Sequence, residues 1–590
     1  MQTIGQHYSG ARAESAPSPS LLQKAGLLDK LPLILVCGAL LGFSSAGYGV
    51  WWLAWVGLAP LILLVFSARS RSEAMITGLV FGLAYHLVAL RWLLDLNPLT
   101  WLGIPNPAGY VVAGQAWLLE ALHQAVLFAC FAIFIYTLPT RAGFLPHIHR
   151  PYFPVLLSVP LIWVFLQWVI APSPFFLGVP VDQLAYSQSS VAAIIQLARF
   201  GGAQLIDFLL VMANTALVCA VLEFTNIGPK PASRADLMSD ETGALFDVVL
   251  VTAAVVACFF WGRWQMSSAA AMPEYFQLPA GFRPPLQGSG KGPGSGKGQG
   301  SGKGQGSGKG TGGLQPAIDT SNFAPAVPVA VVQPNITIEE LDKLGAKQVS
   351  QRLLPLIQNV GATIMVLPAD MLDQPRRGFE PLRMMLPQIA RDQKKDIITG
   401  IREKSNVGIW DGVRIFSADK FNKDTDYMKY RLLPLAEYTP LSFLTALLPT
   451  AFRERISGGQ EHVRPETLTT LKSVFGRVGA SVGAEIVYPD LIVSQVTRGA
   501  SLLVNVSDVS CFHNSILPQE LLAAAVMRAV ENGRYLVLAS NTGVSAVIDP
   551  HGVVTSASTP ARDGLLVDRV QFLHGKTPYT RMCLWTPLYH

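Results

Sequence analysis

Up to residue 262 the chain is dominated by apolar runs of near-bilayer length, and from residue 325 it is not. That division limits the fold more than any other feature, because only helices and closed barrels satisfy their backbone inside a bilayer. The runs fall at 31–47, 50–67, 74–94, 111–137, 153–171, 204–223 and 246–262, seven candidate spans. A helix crosses the hydrocarbon core with about 20 apolar residues. Most of the runs are near that length, the first and last are short, and the fourth is long enough to tilt. Half of the 590 residues are apolar and 14% are charged, as expected of a partly embedded chain. The net charge of +6 is spread over loops and forms no stripe, which argues against a nucleic-acid partner.

Basic residues orient the spans. Residues 1–30 form a polar tail with Arg12, Lys24 and Lys30 and no cleavage motif after an apolar core, so the first run reads as a retained span. Lys24 and Lys30, Arg69 and Arg71, Arg141 and Arg150, and Lys230 and Arg234 all fall on one side. The positive-inside rule places that side in the cytoplasm and everything after residue 262 outside it, on the periplasmic side of a bacterial inner membrane. His86, Arg91, Glu120 and His123 lie at membrane depth, where ionisable groups are costly. Glu120 and His123 share a helical face, so mutual pairing is the structural expectation. Trp51, Trp52, Trp55, Trp92 and Trp101 read as interfacial anchors.

The transmembrane bundle, 31–262, is followed by a linker, 263–324, whose core is Gly, Ser, Gln and Lys, with Lys291, Lys297, Lys303 and Lys309 every six residues. Such a stretch behaves as a flexible coil, which predicts a loosely tethered second domain over 325–575. In that domain β-branched runs at 327–333, 363–367, 396–401, 413–417, 480–486, 501–507, 535–540 and 544–549 alternate with helical stretches, including 517–532. The alternation argues an α/β sheet covered by helices. None of the six cysteines has metal-ligand spacing, and no cofactor or metal is expected.

Residues 427–440, YMKYRLLPLAEYTP, and 482–491, VGAEIVYPDL, closely resemble segments of the apolipoprotein N-acyltransferases, the membrane branch of the nitrilase (carbon–nitrogen hydrolase) superfamily. GLVFGLAYHLVALRWL (78–93), FFLGVPVDQLAYSQ (175–188) and RFGGAQLIDFL (199–209) resemble its membrane signatures in the same order. The resemblance implies an α-helical transmembrane bundle plus the α-β-β-α sandwich of nitrilases. It also implies an activity: transfer of a phospholipid acyl chain to the N-terminal amine of a diacylglyceryl-lipoprotein. A cysteine thiolate, a glutamate base and an oxyanion-stabilising lysine would perform it.

The resemblance places the lysine at Lys429 and a further site glutamate at Glu437. The cysteine of the family's Cys-Tyr-Glu run falls on Gly483, its tyrosine on Ala484, and its glutamate on Glu485. The general base falls on Ala369; Asp370 is one residue late, on the opposite face of an extended strand, and is the alternative base if a turn after Pro368 redirects it. Cys511, on the next strand-end loop with His513 two residues on, is the alternative nucleophile. Residues 576–590 resemble the approach to a final span, and the sequence stops there. Two readings follow: a catalytically dead homologue that binds phospholipid and lipoprotein N-termini, or an active acyltransferase with its nucleophile relocated to Cys511. An amidase acting through the nitrilase domain alone is disfavoured by the same missing cysteine.

Overall fold

The computed structural model describes residues 21–100, 104–138, 155–170, 183–225, 243–270, 326–338, 340, 346–358, 360–369, 371–373, 380–417, 425–433, 437 and 462–583. Trp101, Asp370, the Gly/Lys stretch from 271 onward, and the tails 1–20 and 584–590 lie outside the described residues.

Each apolar run yields helix: α1 (Leu27–Gly42), α2 (Ala59–Phe66), α3 (Arg71–Ala89), α4 (Asn106–Thr137), α5 (Val155–Ile170), α6 (Ala198–Phe224) and α7 (Gly243–Ala270). Four described helices, within α3, α4, α6 and α7, are long and apolar enough to cross a bilayer; α2 and α5 belong to shorter apolar stretches. The second run is broken, with a 3-10 turn over Trp51–Trp55 before α2. The last helix continues to Ala270, into the segment expected to be linker.

Small residues set the crossings. A Cβ on Gly38 would strike the Phe81 backbone, one on Gly78 the Phe128 carbonyl, and one on Gly262 the Ala193 carbonyl, so glycine lets these backbones touch. Glu120 lies 3.6 Å from His123 and accepts from Gln124 at 2.9 Å, the pairing expected of them. Trp92 departs from its expected interfacial role: it is 9% exposed and packs edge-on against Phe512, ring centroids 5.2 Å apart.

The second half is built on two sheets. Strands β1 (Ala326–Gln333), β2 (Ile364–Val366), β3 (Leu372–Asp373), β4 (Asp396–Lys404), β5 (Ile409–Phe416) and β6 (Asp426–Met428) join β13 (Gly564–Gln571) in the order β13-β1-β2-β4-β5-β6, with β3 also on β4. Strands β7 (Leu471–Ser473), β8 (Gly476–Val482), β9 (Ala500–Ser507), β10 (Leu536–Ser540), β11 (Ala546–Ile548) and β12 (Val554–Ala557) form the other, in the order β12-β11-β10-β9-β8-β7. The period of two along each strand divides the core. Val327, Val329 and Val331 of β1 meet Leu502, Val504 and Val506 of β9 between the sheets. Val332 faces outward under helices α8 (Ala346–Ile357) and α9 (Glu380–Asp392). Leu503 and Leu538 face outward under α11 (Leu517–Asn532), while α10 (Pro489–Thr497) contributes Ile492 and Val496 to the same cluster. The layers are therefore helix, sheet, sheet, helix, the expected sandwich. One expected strand ends early: 480–486 runs as β8 only to Val482, and Gly483–Val487 forms a 3-10 turn.

The loose tether predicted from the linker is not what holds the two halves together. α11 lies between the second sheet and the bundle, and one apolar cluster runs unbroken from Ile34 and Phe81 to Ala524 and Ile548. Buried Glu520 accepts from Ser45 Oγ and from the Gly47 amide at 2.7 Å. Glu531 accepts from the Ala203 amide at 2.9 Å, and Gln196 donates to the His551 carbonyl at 2.8 Å. The helix α12 (Pro578–Cys583) adds Tyr579, seated against Gly202. Buried hydrogen bonds and a shared apolar core fix the sandwich on one face of the bundle.

Candidate active site

Three strand ends contribute side chains to the apolar core between the sheets. Ala369, just beyond β2, Tyr427 of β6 and Val482 at the end of β8 all belong to that apolar cluster. Each is a marker: Ala369 is where the resemblance puts the base, Lys429 follows Tyr427 by two residues, and Gly483 follows Val482. The fold brings the Lys429 segment against the Gly483–Val487 turn, where Glu485 accepts from the Tyr430 and Arg431 amides at 2.8 Å each.

Gly483 sits where β8 stops. Its φ is +56°, a left-handed conformation that L side chains seldom adopt. Among the described residues, no heavy atom beyond its chain neighbours lies within 4 Å of where its Cβ would stand. Its carbonyl accepts from Asn505 Nδ2 at 3.1 Å, and Asn505 also donates to Ser481 Oγ at 2.9 Å, so the turn is held from β9. The strand end thus presents a side-chain direction into open space and carries no side chain there. Ala484, in the tyrosine position, is half-buried.

Ala369 is 5% exposed. The strand beneath it is fitted to the turn: Gly400 donates its amide to the Pro368 carbonyl at 3.2 Å, and a Cβ on Gly400 would stand 2.5 Å from Ala369 Cα. The base position therefore has an ordered, close-packed backbone and a methyl group for chemistry.

Glu485 is buried and organises both chains around it. It accepts from Tyr427 OH at 2.9 Å, from the Tyr430 and Arg431 amides at 2.8 Å each, and from the Val482 amide at 2.8 Å. Burial pushes its carboxyl up to about 7, while Lys429 and the backbone donors pull the other way. Its oxygens are occupied by donors that fix the Lys429 segment against the end of β8, which is the geometry of a positioning residue.

Lys429 is 3% exposed and ion-paired to Glu437. Burial draws its ammonium down, but Glu437, Asp411 and Glu485 outweigh that and leave it above its ordinary value. Glu437 also accepts from the Leu433 amide at 2.9 Å. Beside them lies a group that sequence reasoning missed. Asp411 of β5 accepts from Arg402 Nε at 2.6 Å and has His462 Nδ1 at 2.9 Å. Burial raises Asp411, yet His462, Arg402 and Lys429 reverse this and hold its carboxyl well below the usual carboxylate range. Asp411 lies three strands from Ala369 in sequence order, and only the β4–β5–β6 pairing reveals that its carbonyl takes the Lys429 amide, at 2.8 Å.

Asp411, Glu437 and His462 offer ligand atoms within 4.8 Å of one another. Glu437 already carries the Lys429 ammonium and Asp411 the Arg402 guanidinium, so the set is neutralised from within and is a poor cation site. Cys511 is half-buried on a 3-10 turn over Ser510–Phe512. Asp508 accepts from the Ser510 amide at 2.8 Å at the start of this turn, and Phe512 packs on Trp92 at the junction with the bundle.

Comparison with known proteins agrees with this geometry in both halves. Residues 37–216 match the model of the apolipoprotein N-acyltransferase N-terminal domain, and residues 329–573 match that of the carbon-nitrogen hydrolases. The chain belongs to the apolipoprotein N-acyltransferase family. An apolipoprotein N-acyltransferase of Gloeobacter violaceus is 28% identical over 553 residues, covering 93% of this chain and 89% of that one. One of Nostoc sp. is 24% identical over 533 residues, covering 87% of each. Among solved structures, Saccharomyces cerevisiae Nit3, a member of branch 10 of the nitrilase superfamily, is 16% identical, with a TM-score of 0.31, covering 42% of this chain and 91% of its own. With four helices of spanning length and such relatives, the chain is a membrane protein.

Proposed function

We propose that this chain is a catalytically silent apolipoprotein N-acyltransferase homologue that binds membrane phospholipid and lipoprotein N-termini without transferring an acyl chain. In this reading it is a multi-pass protein of the bacterial inner membrane: cytoplasmic tail 1–30, bundle 31–262, linker 263–324, periplasmic nitrilase-like domain 325–575 and terminal segment 576–590. The observation that carries it is Gly483, which offers no side chain at the family's nucleophile position and has no described residue beyond its chain neighbours within 4 Å of its Cβ direction. Ala369 removes the base as well, while Lys429, Glu437 and Glu485 keep the surrounding scaffold.

Magnitude supports silence. Losing the nucleophile of a covalent-catalysis enzyme can cost ~10⁶ in turnover. From a typical ~10 s⁻¹ that leaves on the order of one event per day, too slow to mature lipoproteins. A thiol at Cys511 would have to supply the missing attack from a turn at the junction with the bundle.

The test uses the full chain in phospholipid nanodiscs with a diacylated lipopeptide. Intact mass spectrometry is expected to show the lipopeptide retained unchanged and the protein free of acyl adduct. An acyl adduct, with Cys511 the first residue to map, overturns the silent reading. Failure to retain the lipopeptide overturns the binding reading.

A further inference from the structure

A continuous line of buried polar contacts runs from the bundle to the turn that carries Gly483. It begins where α6 breaks. Gly201 and Gly202 leave helical geometry, Gly202 with φ +68°, and the next amide, Ala203, points out of the helix to Glu531 at 2.9 Å. The same Glu531 oxygen takes Arg528 Nη2 at 2.9 Å, and both side chains are fully buried. Arg528 then donates through Nη1 to the Val487 carbonyl at 3.4 Å. Tyr186, from the 3-10 turn Leu184–Ser190 of the bundle, donates its hydroxyl to that same carbonyl at 3.4 Å, and its ring lies under the guanidinium at 5.9 Å. Val487 closes the turn that opens at Gly483 and contains Glu485.

We propose that Tyr186 and Arg528 are positioning residues of the site: through the Val487 carbonyl they let the bundle set the placement of the Gly483–Val487 turn. The reason is economy of partners. A guanidinium without solvent finds its partners inside the protein, and here Nη2 goes to one bundle-bound carboxylate and Nη1 to one site carbonyl. A carboxylate holding a backbone amide of α6 ties that pairing to the bundle. Asn505 and Glu485 hold the near end and middle of the turn, and the Val487 carbonyl at its far end takes the Tyr186 and Arg528 donors. Other docking contacts, such as Gln196 to the His551 carbonyl, join the same two halves without touching this turn. The inference rests on the turn being the site, and not on whether the site is silent.

A thiol placed on the turn reports its geometry directly. Gly483→Cys in the full detergent-solubilised chain is alkylated with iodoacetamide across pH, and labelling is read on the peptide that contains residue 483. Adding Tyr186→Phe removes one hydrogen-bonding hydroxyl and is expected to change the alkylation rate at that thiol at least threefold, with the melting temperature nearly unchanged. Arg528→Lys is expected to move it in the same sense. Gln196→Ala, which loosens docking off the path, is expected to leave the pH profile in place. Identical profiles with and without Tyr186→Phe overturn the proposal even if Arg528→Lys fails to fold. An equal shift from Gln196→Ala overturns it as well, because general loosening would then suffice. Lipopeptide retention by the unaltered chain plays no part in this readout, so the two proposals fail separately.

Discussion

Two glycines near the site make opposite demands, and replacing each by alanine measures them. At Gly483 the penalty is conformational: a non-glycine residue at φ +56° costs about 1–2 kcal/mol. No described residue beyond the chain neighbours lies within 4 Å of the new Cβ to add to it. Alanine also trims the freedom of the unfolded chain, which offsets about 0.4–1 kcal/mol. The net cost of Gly483→Ala is then about 0–1.5 kcal/mol. At Gly400 the new Cβ would stand 2.5 Å from Ala369 Cα and 3.0 Å from the Pro368 carbonyl oxygen, both backbone atoms. Backbone cannot swing aside as a side chain can, so overpacking of about 1–3 kcal/mol or more is expected there. A shift of about 2–4 °C per kcal/mol holds for a domain of this size. Scanning fluorimetry of the full chain should therefore show a small shift for Gly483→Ala and a clearly larger one for Gly400→Ala. If Gly483→Ala is as damaging as Gly400→Ala, the open space at the nucleophile position is not there and the reading of the site collapses.

Other outcomes follow from the same contacts. Glu485→Gln turns one accepting oxygen into a donor facing the Val482 amide, and should cost about 1–3 kcal/mol in thermal or chemical unfolding. The same variant has a pH signature: a carboxyl raised to about 7 contributes stability below its ordinary value near 4.5 and loses it as pH rises through 7. The stability gap between the unaltered chain and Glu485→Gln should narrow from pH 5 to pH 8, and a widening gap would refute the assignment. Lys429→Met leaves half-buried Glu437 without its cation, while Asp411 keeps Arg402, and should cost about 3 kcal/mol, part of it recovered in the double variant with Glu437→Gln. Gly202→Ala places a Cβ 2.6 Å from the Tyr579 ring at φ +68°. It should weaken docking, read as faster proteolysis between the two halves.

Much of this was legible beforehand because it follows from periodicity. The apolar, β-branched AVPVAVVQ and the Leu/Val-rich SLLVNVS announce strands, and the helical stretch 517–532 is helix over those same residues. The end of β8 was not legible, since ASVGAEI keeps an apolar rhythm through a glycine whose left-handed φ ends the strand. Docking was equally hidden. A flexible linker says how two halves are joined in sequence, and nothing about Glu520 and Glu531, which spend their oxygens on backbone amides far from them in the chain. Lys429, Glu437 and Glu485 could be placed by resemblance to a family. Asp411 and His462 could not, because their meeting depends on β-sheet pairing and a loop return.

The central claim is that the scaffold persists while the chemistry is gone. Its most direct test is the state of lipoprotein N-termini in cells depleted of their own N-acyltransferase and supplied only with this chain. Mass spectrometry should find diacylated termini with a free amine. Triacylated termini would contradict the account, and their loss on Cys511→Ala would show where the nucleophile had gone.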